Sequence, residues 1–104
     1  MIKIKNGLLM KLNEFIQSIK EESPPESLSE PLQAMWHARK GDWETAHNIA
    51  QSISTELGSW IHAYLHRAEG DLSNAGYWYK RTGKPQFQGS TEAEADEIIN
   101  SIFK

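Results

Sequence analysis

The chain contains no cysteine among its 104 residues. Disulfides, thiolate catalysis and cysteine-ligated zinc sites are therefore excluded, and the composition is typical of proteins from a reducing compartment. No apolar run approaches the roughly 20 residues that a membrane-spanning helix needs. The first apolar run, at residues 8–10, is shorter than the about 7–15 apolar residues of a secretory signal. We expect a cytoplasmic protein without a membrane partner.

Basic charge is also scarce, because 11 Lys and Arg face 14 Asp and Glu, for a net charge of −3. No nucleic-acid partner is expected, since such binding needs a basic face that releases counterions. No glycine-rich phosphate loop is present, and no Ser, His and Asp occur at a recognisable catalytic spacing. An enzyme is therefore not favoured, although distant residues can assemble an active site. No cofactor is expected.

The chain does contain an internal repeat with a spacing of 29 residues. Residues 34–46 and 63–75 share five of thirteen positions, which are Ala, His, Gly, Asp and Ala in that order. A period between 20 and 50 residues is typical of repeat architectures. In each copy, glycine is expected to end one helix and the aspartate after it to cap the next.

The spacing of apolar residues predicts an all-α fold, because no segment shows the alternation of a strand. One domain of about six helices is expected to span residues 1–104. Thr91 and Glu94 are expected to form a capping box at the start of the last helix. The expected helices are 7–22, 29–40, 42–54, 59–69, 71–82 and 91–103.

The repeat resembles the tetratricopeptide repeat (TPR). The residues that carry the resemblance are Gly-Asp-Trp-x-x-Ala at 41–46 and Gly-Asp-Leu-x-x-Ala at 70–75. The run 60–83 is also similar to a family of small, uncharacterised bacterial proteins of TPR type, which carries no assigned activity. The resemblance implies a stack of antiparallel helix pairs, with repeat units at about 30–55 and 59–83. Helices 7–22 and 91–103 would close the stack as caps.

The TPR resemblance implies a small protein–protein or peptide interaction module, which is the favoured function. It places Met35, Arg39, Tyr64 and Arg67 on a concave face formed by the first helix of each repeat. The arginines are suited to an acidic peptide or protein segment, and Met35 and Tyr64 to apolar contact. Alternatively, the arginines pair with acidic side chains of the chain itself, including those of the last helix. Self-association to a homo-oligomer is also left open.

A metal- or small-molecule-binding protein is the alternative function. His62 and His66 are one helical turn apart, so their rings share a face and can supply two zinc ligands. Glu69 is the leading third ligand, with Asp71 or His37 as other choices. However, His37 and His66 occupy matching places in the repeat, where a TPR holds an aromatic ring. Packing is therefore favoured for both, and no metal ligand is assigned outside the alternative set His62, His66 and Glu69.

Overall fold

The computed structural model describes residues 11–103, and all of the regular structure in that range is helical. The all-α prediction is thus confirmed. The expected start of the first helix at residue 7 lies outside the described residues. No helix within residues 11–103 is long and apolar enough to cross a membrane. Residues 11–103 form six helices: α1 (Leu12–Ser18), α2 (Glu30–Lys40), α3 (Trp43–Ala50), α4 (Glu56–Ala68), α5 (Leu72–Thr82) and α6 (Thr91–Phe103).

The two Gly-Asp pairs form the same turn. Gly41 and Gly70 are left-handed, with φ values of 90° and 91°. Each following aspartate donates its backbone N–H, at 2.9 Å, to the carbonyl of the repeated histidine five residues earlier. The backbone N–H of each glycine donates to the carbonyl of the residue after that histidine, which is Ala38 or Arg67. The two hydrogen bonds together form the Schellman motif. The repeat therefore encodes a duplicated helix–turn–helix connection.

The same aspartates cap the next helices, as predicted. Asp42 Oδ1 accepts a hydrogen bond from the backbone N–H of Thr45 at 3.2 Å. Asp71 Oδ1 accepts one from the backbone N–H of Asn74 at 3.1 Å. Each bond satisfies an N–H group that has no partner within its own helix.

The expected start of α4 at Gly58-Ser59 is wrong. The helix begins at Glu56, and the Thr55 hydroxyl accepts from the Gly58 backbone N–H at 3.3 Å. Gly58 lies inside the first turn because the chain before it folds back closely. A Cβ at this position would overlap the Ile53 carbonyl oxygen and lie 2.8 Å from the Ile53 Cβ. The glycine is thus needed for close approach and does not mark a helix boundary.

Helices α2 and α3 pack together as one pair, and α4 and α5 as a second. Helix α3 contacts α4, and α6 packs on both α2 and α4. Helix α1 reaches α6, where Phe15 and Phe103 meet edge to face with ring centroids 5.9 Å apart. The TPR-like stacking of the pairs stays a prediction. The largest fully buried side chains are Trp36, Phe15, Met35, Ile61, Leu65, Ile98, Ile99 and Glu94.

In the aromatic run at 77–79, the central tryptophan is not the residue that enters the core. Tyr79 is the buried member, Trp78 is half-buried, and Tyr77 is exposed. The difference arises because α5 turns Tyr79 toward a hydrogen-bond acceptor inside the protein. Trp78 is consequently placed beside α4, where it contacts His62.

Two glycine substitutions test the close approach at Gly58. We expect Gly58→Ala to lower the free energy of unfolding by about 2 kcal/mol, because the new methyl group overlaps the Ile53 backbone. Gly76→Ala is the matched control, since Gly76 lies within α5 and a methyl group added there would meet no atom within 4 Å. There the better helix propensity of alanine is expected to add about 0.5–1 kcal/mol. Urea denaturation of both variants measures this, and equal effects would contradict the account of Gly58.

Candidate functional site

Three histidines from two helices meet at the contact between α3 and α4. His62 and His66 stack on one face of α4, as predicted, with ring centroids 5.0 Å apart. His47 of α3 joins them, and its Nε2 lies 2.9 Å from the Nε2 of His62. One ring nitrogen from each of the three lies within 4.8 Å of the other two. We call His47, His62 and His66 the histidine cluster.

Two tryptophans pack against the faces of the cluster. Trp78 of α5 stacks on His62 with ring centroids 3.8 Å apart, and Trp43 stacks on His47 at 4.7 Å. The Trp43 indole N–H donates to the Leu65 carbonyl at 2.7 Å, which ties α3 to α4. Because the indoles cover the ring faces of His47 and His62, these two imidazoles meet through their edges, at Nε2.

Burial and the neighbouring imidazoles lower the pKa of two members of the cluster, His62 and His47. Burial lowers the pKa of His62 from its usual 6.5 to about 4, with further lowering from His47 and His66. Burial also lowers the pKa of His47, and His66 adds to this while Glu69 opposes it. His62 and His66 are almost fully buried, whereas His47 is half-buried. Neutral imidazole is the form that binds transition metals.

Glu69 contacts the cluster from outside. Its Oε2 lies 2.9 Å from the Nδ1 of His66. A carboxylate at this distance accepts the Nδ1–H, and that tautomer leaves the Nε2 of His66 as the nitrogen with a lone pair. The alternative set of His62, His66 and Glu69 is therefore rearranged. The structure brings the two histidines together with His47, while Glu69 holds the orientation of His66.

The other suggested ligands lie elsewhere. His37 is on α2, where its Nδ1 is 4.0 Å from the Asp42 carboxylate. Asp71 lies near His66 and Glu69, in a second group of metal-type donors, but it also caps α5. Sequence reasoning missed His47. The available signal was its position one helical turn after Trp43, which places the two side chains on the same face of α3.

The four residues expected on a binding face are either buried or paired with α6. Met35 is completely buried and Tyr64 is 6% exposed. Arg39 Nη2 is 3.6 Å from Glu92, and Arg67 Nη1 is 2.9 Å from Glu94. The arginines therefore pair with the acidic last helix, which was one of the expected alternatives.

The predicted capping box of Thr91 and Glu94 is wrong. Ser90 caps α6 instead, because its hydroxyl accepts from the Ala93 backbone N–H at 3.0 Å. Glu94 is completely buried, so its carboxylate serves a tertiary contact rather than the helix end. The sequence motif does not distinguish the two roles of the glutamate. A Ser or Thr three residues before a Glu occurs at capped helix starts and also where the Glu is buried in a tertiary contact.

Glu94 accepts three hydrogen bonds in the interior. Its Oε2 accepts from the Tyr79 hydroxyl at 2.5 Å and from the Trp60 indole N–H at 3.0 Å. Its Oε1 accepts from Arg67 at 2.9 Å, and Arg67 also donates to the Gly89 carbonyl. Burial and the bond to Glu94 raise the pKa of Tyr79. This network attaches α6 to both α4 and α5.

Comparison of the chain with known protein families, with curated proteins and with solved structures gives no match. The resemblance to TPR proteins therefore stays a prediction. The function has to be inferred from the geometry of the histidine cluster itself.

Removal of the buried charge should be costly. We expect Glu94→Gln to lower the free energy of unfolding by about 3 kcal/mol, because Arg67 loses its ionic partner in the interior. Glu92→Gln is the matched control on the same helix. Glu92 pairs with Arg39, but its side chain is 77% exposed, so little change is expected. Chemical denaturation measures both, and a Glu94 variant as stable as the Glu92 variant would contradict the proposed role of this network.

The histidine cluster should make the metal-free protein sensitive to acid. Unfolded His62 takes up a proton below pH 6.5, whereas folded His62 resists protonation until about pH 4. The free energy of unfolding should therefore fall between these values as the pH is lowered. For His62 we expect a loss of about 2 kcal/mol after allowance for partial solvent screening. His47 and His66 lie beside the His62 ring and modify this slope, and Glu69 contacts His66.

The measurement is urea denaturation at several pH values in EDTA. His62→Phe should flatten the pH dependence between 6.5 and 4, because phenylalanine keeps the packing against Trp78 but cannot be protonated. His37→Phe, which lies outside the cluster, should keep the wild-type slope. Identical slopes for wild type and His62→Phe would show that His62 is not held neutral by its surroundings.

Proposed function

We propose that this protein binds a divalent transition metal ion, with zinc as the first candidate, through His47, His62 and His66. The observation that carries the proposal is the convergence of three imidazoles from two helices within 4.8 Å. Three nitrogen donors favour zinc, copper or nickel over magnesium and calcium, which prefer oxygen. Zinc has no redox chemistry and is commonly held by histidine, and it needs no cysteine.

The spacing of the donors is compatible with such an ion. Two ligands of a tetrahedral zinc, each at about 2.0 Å from the metal, lie roughly 3.3 Å apart. The Nε2 atoms of His47 and His62 are 2.9 Å apart, and the donor atoms of all three histidines lie within 4.8 Å of one another. Metal binding at this site requires rotations of the imidazole rings that bring the three donors to a common centre. The neutral state of His47 and His62 further limits competition between metal and protons.

Glu69 gives the arrangement a second feature of metal sites. A metal-binding histidine usually donates its other ring N–H to a carboxylate or carbonyl, which fixes the tautomer and makes the ligand more basic. The 2.9 Å contact between His66 Nδ1 and Glu69 matches this role. Packing alone explains the burial of the rings, but it does not call for a carboxylate behind one of them.

Binding of a protein segment or acidic peptide, which the TPR resemblance favours, stays a prediction. Its expected contact residues are Met35, Arg39, Tyr64 and Arg67. Because α6 packs on α2 and α4, a partner on this face has to displace α6. The pairing of Arg39 and Arg67 with glutamates of α6 indicates that the face suits acidic helices.

Calorimetric titration of the untagged, EDTA-treated and dialysed protein with zinc tests the proposal. We expect one zinc per chain. His62→Ala should weaken binding by more than about 100-fold, and Glu69→Gln by roughly 10–100-fold, because ligand orientation is lost. His37→Ala is the matched control, since this histidine lies outside the cluster, and it should bind zinc like the wild type.

Two results would contradict the proposal. One is the absence of zinc binding in the wild type, and the other is equal affinity for the wild type and His62→Ala. Two zinc ions per chain would contradict the role of Glu69 as an orienting group. That stoichiometry would indicate that His66, Glu69 and Asp71 form a second site.

A further inference from the structure

We infer that the metal held by the histidine cluster keeps one coordination position that no side chain of this chain fills, and that water or a small anion from solution occupies it. The inference rests on the proposed metal binding. It adds the kind of site, one with an exchangeable ligand, and the chemical class of that ligand.

The supply of donors limits the protein to three ligands. The chain has four histidines and no cysteine, and the fourth histidine, His37, lies beside Asp42. Within residues 11–103, no aspartate or glutamate joins the group of His47, His62 and His66. Residues 1–10 and 104, outside the described range, contain no His, Cys, Asp or Glu. The chain therefore offers no fourth imidazole, thiolate or unengaged side-chain carboxylate as a metal ligand at this cluster.

Glu69 is the nearest carboxylate to the cluster, but it is already engaged. Its Oε2 lies 2.9 Å from Nδ1 of His66, so Nε2 is the ring nitrogen that is left for a metal. If Glu69 moved to bind the metal, His66 would lose the hydrogen bond that sets its tautomer. The residue is therefore a positioning residue and leaves the fourth position free.

The cluster can be reached from solvent on the α3 side. His62 and His66 are only 5% and 6% exposed, whereas His47 is half-buried. Trp43 and Trp78 cover the ring faces of His47 and His62 but not the edges that carry the nitrogens. The exposed part of His47 is therefore where a ligand from solution would reach the site.

The number of protein ligands distinguishes structural zinc sites from sites with an exchangeable ligand. Structural zinc sites use four protein ligands, whereas sites with three protein ligands hold water or a substrate in the fourth position. A zinc ion with three neutral ligands keeps its full positive charge, so it attracts hydroxide and small anions. The site is thus suited to exchange of a small anionic ligand.

Cobalt(II) substitution and azide titration of the full chain test the inference. Cobalt(II) takes zinc sites, and its visible absorption reports its ligands. We expect one cobalt per chain with the intense bands of a four-coordinate site. Azide should shift these bands in a saturable way, with one azide bound per cobalt. His37→Ala should behave like the wild type.

The failures of the two proposals are distinguishable. If cobalt binds with four-coordinate bands that azide does not change, the exchangeable position is refuted, while metal binding stands. If no cobalt binds to the wild type, both proposals fail. If azide changes the bands of Glu69→Gln but not those of the wild type, Glu69 fills the fourth position, and its role as a positioning residue is refuted.

Discussion

The duplicated Gly-Asp turn determines which helix faces can meet, and the histidine cluster depends on both copies. The first copy starts α3 directly after α2, and α3 carries Trp43 and His47 to the side of α4. The second copy anchors the backbone carbonyl of His66 and starts α5, which brings Trp78 onto His62. A left-handed glycine allows this reversal, and the aspartate caps the next helix. The turns thus place imidazoles and two indoles around one point.

Charged groups are distributed very differently on the two sides of α4. On the side of α3 and α5, uncharged histidines are packed between indole rings. On the side of α6, a buried carboxylate is balanced by Arg67 and by two neutral donors. A buried charge is tolerated only where it is fully paired, and Glu94 meets that condition. The attachment of α6 and the histidine cluster are therefore separate parts of the structure.

Local features of the fold could be predicted from the sequence, whereas features that depend on packing could not. The stops at Gly41 and Gly70, the caps at Asp42 and Asp71, and the shared face of His62 and His66 all follow from short-range rules. The role of His47 depends on how α3 lies against α4, and helical spacing does not contain that information. His47 was missed, whereas Glu94 was given the wrong role. Its sequence fits a helix-capping motif, but the tertiary structure buries it.

The two copies of the repeat differ where the proposed site lies. At the positions equivalent to His47 and His62, the other copy carries Gly76 and Gln33. The shared histidine belongs to the turn in both copies, but only His66 has two further imidazoles beside it. The repeated histidine thus has a structural role in both copies, and in the second copy it is also part of a cluster with three metal-type donors.

X-ray absorption spectroscopy at the zinc edge of the zinc-loaded full chain tests the central claim most directly. It reports the number and type of ligands without any substitution. The account predicts about four nitrogen or oxygen neighbours at roughly 2.0 Å, with the scattering pattern of three imidazoles. A spectrum that shows one imidazole or none, or a six-coordinate shell of oxygen, would contradict it.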